Sequence, residues 1–158
     1  MPRNIPSGHP NARAQRGVAA VEFGLLITLL VSLVLAASEF GRAMVQYDTV
    51  VKGARAASRY LSQGAAGDST AITAAKNLVV YGSTTATGTA LVPGLTTAMV
   101  GVCDASNCAA NAHQFTGQTY VNVVSVTVSG LQFQSLASWL LPNFTFAPIV
   151  ATMTQGVG

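Results

Sequence analysis

The side chains in this 158-residue sequence that could do chemistry are few. Cys103 and Cys108 bracket Asp104-Ala105-Ser106-Asn107 in a turn-rich segment, and His113 follows five positions after Cys108. In an oxidising compartment two Cys this close read as a disulfide closing a small loop, with a modest entropic effect. The alternative is a metal held by the two thiolates, His113 and Asp104, although this spacing matches no familiar zinc pattern. A Ser–His–acid set beyond the first residues could recruit only His113. G-x-S-x-G, the P-loop and G-x-G-x-x-G are all missing from the sequence. Asn143-Phe144-Thr145 matches a glycosylation acceptor, a pattern short enough to be common by chance. The expectation is therefore no enzyme, no cofactor and no resident metal. One group is left over: Glu22, a carboxylate inside an apolar run.

That run has to be positioned by something. Half the sequence is apolar and only 8% is charged, against roughly a quarter charged in soluble domains. Such a composition excludes a charged disordered tail, and the length suits one domain with an appendage. The net charge of +3 is located in Arg3, Arg13 and Arg16. From Val18 onward basic and acidic residues balance, so no basic surface remains for nucleic acid. The stretch from Phe23 to Ser38 carries no charge, and its extension back to Val18 is interrupted only by Glu22. About twenty residues at 1.5 Å rise cross a ~30 Å hydrocarbon layer, which predicts one transmembrane helix over 18–38. The basic leader keeps the N-terminus cytoplasmic and sends the rest outside. A cleaved secretory signal ending at Ala36-Ala37-Ser38 is the competing reading. If an α-amino group were freed at Val18, Glu22 one turn along could neutralise a neighbouring subunit's amine as helices pack out of lipid.

The stretch Arg16-Gly17-Val18-Ala19-Ala20-Val21-Glu22-Phe23 resembles the processing site of type IVb prepilins and pseudopilins. Glu39-Phe40-Gly41-Arg42-Ala43 and Gly53-Ala54-Arg55-Ala56-Ala57-Ser58-Arg59-Tyr60 look like the corresponding segments of TadE-like proteins, the minor pseudopilins of the tight-adherence (Flp) pilus system. The resemblance covers Arg16 to about Leu61, with a weaker echo in 76–82 and 151–153. It implies removal of 1–17 by the prepilin peptidase between Gly17 and Val18, with Glu22 as the fifth mature residue. It also implies lateral assembly with other pilin-like subunits, including the major pilin and a second minor pseudopilin, on an inner-membrane assembly platform. The implied role is to initiate or tip the filament, with the head in the periplasm. Many relatives carry Pro where this sequence has Thr28, which can bond back to a helix carbonyl and bend the axis slightly. Two other functional readings stay open: a membrane-tethered periplasmic binding or adhesin domain, and a cleaved, secreted small domain.

Beyond the membrane the pattern turns periodic. Phe40, Met44, Tyr47, Val51, Ala54, Ser58 and Leu61 alternate steps of four and three, predicting an amphipathic continuation of the helix over 39–63 that packs on the chain's own head. Asp48, Lys52, Arg55 and Arg59 form a second ridge, read as a solvated face or as a docking surface for an acidic partner. Gly41, Gly53 and several Ala leave little bulk and permit close helix approach. The head, 64–158, is expected to be α+β: a second helix over Thr70–Tyr81, capped by Asp68 or Ser69 and ended by Gly82, lying on a short antiparallel sheet. Tyr120–Ser129 is the clearest strand, with Ala98–Val102 and Ile149–Thr154 as further candidates, and Leu136–Leu141 forms a short helical turn.

Overall fold

A computed structural model describes residues 12–108, 113–115 and 120–155. The leader residues 1–11, Arg3 among them, lie outside the described residues. Among the described residues the secondary elements are helices α1 (Ala12–Leu61) and α2 (Ser69–Tyr81), a 3-10 turn (Thr97–Met99), and six strands. These are β1 (Val100–Cys103), β2 (His113–Phe115), β3 (Tyr120–Val128), β4 (Gln132–Phe133), β5 (Phe144–Thr145) and β6 (Ile149–Gln155). The chain is α+β and divides between Ser38 and Glu39 into two units. The compact head unit therefore includes the second half of α1, from Glu39 on.

In the first unit every residue from Gly17 to Val31 is exposed. The most apolar stretch has a mean hydropathy of 2.5 and none of it is buried. A helix of this length and composition can cross a bilayer. Two hydroxyls in its middle are satisfied internally: Thr28 Oγ1 donates to Gly24 O and Ser32 Oγ to Thr28 O, both at 2.8 Å. That removes the cost of presenting a free donor to hydrocarbon.

The second unit is two layers, helices against an antiparallel sheet. Strand β3 is the hub. It pairs with β1 from Val100↔Val128 to Cys103↔Ser125, with β2 from His113↔Asn122 to Phe115↔Tyr120, and with β6 from Asn122↔Gln155 to Val128↔Ile149. β-branched residues favour this pleated surface, and the period-2 alternation sends Val124, Val126 and Val128 into the core. There they meet Val50, Ala54, Ala57 and Leu61 of α1 and Ala75, Val79 and Val80 of α2. Helix α2 starts at Asp68, whose carboxylate accepts from Thr70 N and Ala71 N, and stops at Gly82 in the left-handed region (φ 71°). The C-terminal end of α1 is closed from a distance: Gln155 Nε2 donates to Leu61 O (3.3 Å) and Gly64 O (3.1 Å), satisfying carbonyls that a helix end leaves without partners.

Three expectations need correction. The C-terminal half of the expected stripe holds, with Ala54, Ser58 and Leu61 buried beside Ala43, Val50 and Ala57, whereas its N-terminal half does not: Phe40 (62%), Met44 (55%) and Tyr47 (41%) are exposed. At Gly53 the two helices approach closely: a Cβ there would stand 3.2 Å from Val79 O. The strand expected at Ala98–Val102 begins only at Val100, because Thr97–Met99 forms the 3-10 turn. Helix α1 begins at Ala12, ahead of Val18, and ends at Leu61. The Leu136–Leu141 segment is a turn in which Leu140 N and Leu141 N both donate to Ala137 O.

Candidate functional site

Gly17, Val18 and Glu22 lie together at the start of the apolar stretch, all exposed on one helix. Val18 and Glu22 are four residues apart, so their side chains stand on the same face one turn from each other. Open space surrounds Gly17, since an added Cβ there would meet nothing within 4 Å. In this state the Gly17–Val18 peptide bond is part of the helix. Glycine costs a helix interior about 1 kcal/mol relative to alanine, so this is an inexpensive place to unwind.

A second constellation occupies the head where the chain leaves the apolar stretch. Glu39 is buried (6% exposed). Its Oε2 accepts from Leu136 N at 3.0 Å and its Oε1 lies 3.5 Å from Arg42 Nη1. Arg42 Nη2 donates to Gln134 O at 2.6 Å, and its guanidinium lies over the Phe133 ring at 5.1 Å from the centroid. Adjacent residues at i and i+3 on α1 thus clamp both sides of one loop, and the guanidinium adds a cation–π contact. Phe133, Phe144 and Phe146 pack edge-on or tilted beside this clamp, with Tyr47 5.9 Å from Phe146. This gives Glu39 and Arg42 of the Glu39–Ala43 segment a positioning role. Sequence reading had no access to it, because the partners are more than ninety positions away. The one available signal was an acid and a base three apart where the apolar run ends.

Cys103 and Cys108 are joined as a disulfide with a Cα–Cα distance of 5.3 Å. Asp104 inside that loop is 2% exposed. Its Oδ1 accepts from Ser106 N, Ser106 Oγ and Asn107 N, and its Oδ2 from Gly67 N. Burial works against its ionisation, but the Ser106 hydroxyl and the three backbone N–H groups outweigh it and hold the carboxyl below its usual 3.8. Asp104 therefore organises the loop and fastens it to the turn before α2. His113 lies in β2 opposite Asn122. Among the described residues no three of His, Cys, Asp and Glu gather as a metal site.

On the remaining ridge, Lys52 Nζ lies 2.7 Å from Asp48 Oδ2 with both side chains more than half exposed. Arg55 and Arg59 are exposed as well. An exposed pair of this kind contributes well under about 1 kcal/mol.

An N-terminal helix long and apolar enough to cross a membrane, unburied over its most apolar stretch among the described residues and followed by a small disulfide-closed α+β head, defines the class. Residues 17–59 match the family described as TadE-like protein. The match covers the apolar helix and its continuation, and the head beyond Arg59 lies outside the matched stretch. No curated protein and no solved structure matches the chain.

Proposed function

We propose that this chain is a minor pseudopilin: a pilin-like subunit that is processed by prepilin peptidase and initiates or tips a tight-adherence (Flp, type IVb) pilus. The observation that carries the reading is the order Gly17, Val18, Glu22 at the head of a helix whose apolar surface is wholly uncovered. Cleavage after Gly17 frees an amine at Val18 and removes a positively charged leader that lateral packing could not accommodate. The uncovered surface then packs against the helices of the major pilin and of a second minor pseudopilin, supplied by the inner-membrane assembly platform. Glu22 pairs with a neighbour's amine and sets the register, because either charge alone in a low-dielectric bundle is costly. The head faces the periplasm, where the disulfide persists. The subunit works by presenting a helix and a head, without turnover of a substrate.

N-terminal sequencing of the protein from membranes tests the first step. Val18 as the first residue is expected; an intact leader would leave a tethered periplasmic domain that joins no pilus, and Glu39 would mean a secreted one. The second step is tested by Glu22→Ala, which is expected to remain in the membrane fraction but to lose co-purification with the other pilin-like subunits. Normal co-purification of the variant overturns the pairing role.

A further inference from the structure

The loop held by Glu39 and Arg42 exposes two large apolar side chains, Leu136 (83% exposed) and Trp139 (73%). The loop itself is well tied. Leu136 N is bonded to Glu39, Gln134 O to Arg42, Ser135 N to Asn143 Oδ1 and Ala137 N to Ser135 Oγ. The turn closed on Ala137 O then carries Trp139 outward. An ordered loop that spends its backbone hydrogen bonds on holding a Trp and a Leu in the open is unlike a solvent loop, which is normally polar.

We infer that this turn is a lipid-contact site, with Leu136 and Trp139 entering the interfacial layer of the same bilayer that α1 crosses. The inference rests on the reading that residues 18–38 span the membrane. Glu39 is covalently next to Ser38, the last residue of that span, and the headgroup region adds roughly 5–7 Å on each side of the hydrocarbon. One residue adds 1.5 Å along a helix, so Glu39 lies within that layer and the loop bonded to it starts there. Trp favours this depth because its ring is apolar and its indole N–H still finds a polar partner. Charge fits the same occupant. No Asp, Glu, Lys or Arg occurs after Asp104, so residues 131–155 bring no charged side chain to the interface. Exposed Phe40 follows Glu39 directly and lies at the same level along the chain.

Trp139 is the one Trp of the sequence, which makes the full-length protein its own probe. In vesicles of phosphatidylethanolamine and phosphatidylglycerol, lipids brominated close to the headgroup should quench its fluorescence several-fold more than lipids brominated near the terminal methyl. Acrylamide in the water should quench it several-fold less than it quenches a free tryptophan amide. A companion protein carrying Trp139→Phe and Leu29→Trp reports on the span, and its emission should be quenched by the deep bromines. If the probe at 29 is quenched and Trp139 is not, the loop assignment falls while the span stands. If neither is quenched, both fall. Blue-shifted Trp139 emission without bromine quenching would mean that it is covered by protein, a second copy or another subunit, and this also overturns the lipid assignment.

Discussion

Asp104 is a single carboxylate with four hydrogen bonds inside a loop that a disulfide already closes. Asp104→Ala leaves the N–H groups of Gly67, Ser106 and Asn107 without their acceptor, at about 1–3 kcal/mol per buried group left unsatisfied. The disulfide spans only five positions, and its loop-closure contribution is about 2 kcal/mol. A denaturant titration of the oxidised protein in detergent should therefore show Asp104→Ala to be at least as damaging as reduction. The pH dependence has a definite sign. Because the folded carboxyl is held below 3.8, its contribution is complete above the unfolded value and fades as pH falls through that value towards the depressed one. The wild-type midpoint should drop on acidification in that window, and the drop attributable to this group should vanish in Asp104→Ala. The sequence placed Asp104 in a turn on local composition alone, since Asp, Ser and Asn bond their own backbone. What could not be read was Gly67, thirty-seven positions away, which turns a local motif into a fastening between two parts of the head.

At the level of elements, local signals were legible and contact surfaces only in part. Helix α2 was readable within one residue because its Asp68 cap and its Gly82 stop act on their immediate neighbours. Strand β3 was readable from its β-branched run, and β6 from a short apolar one. The two-residue pair β4–β5 was not, because Gln132-Phe133 and Phe144-Thr145 are too short to carry a period. The face of α1 was legible only in part: Ala54, Ser58 and Leu61 are buried as their spacing predicts, but apolar Phe40, Met44 and Tyr47 on the same stripe are exposed. Two glycines on that helix separate propensity from packing. Gly41 has open space and Gly53 stands against the Val79 backbone. Gly41→Ala should raise thermal stability by about 1 kcal/mol through helix propensity alone. Gly53→Ala gains the same propensity but forces α1 and α2 apart, and overpacking of this kind costs about 1–3 kcal/mol. Paired melting curves followed by circular dichroism should move in opposite directions.

For the whole molecule, the division at Ser38 and Glu39 separates a unit whose most apolar stretch is unburied among the described residues from one with its own core. Every residue of that core falls between Val50 and Ala151. A chain beginning at Glu39 should therefore keep a cooperative melt and mixed helix–sheet dichroism. A featureless, non-cooperative melt would show that the anchor contributes to the fold of the head. The sequence conveyed this division through hydropathy, because lipid-facing and core-facing helices differ in how much of their circumference is apolar. It conveyed nothing of how the head is closed, and that closure has a temporal side. Gln155 seals the carbonyls of Leu61 and Gly64, and β6 supplies one flank of β3. During synthesis the anchor emerges first, and the helix that follows it must wait for nearly a hundred further residues before its final turn is finished. On the proposed reading, insertion into the bilayer precedes maturation of the domain the helix carries, and a translocating chain stalled before β6 would sit tethered but unfinished, open to surveillance proteases.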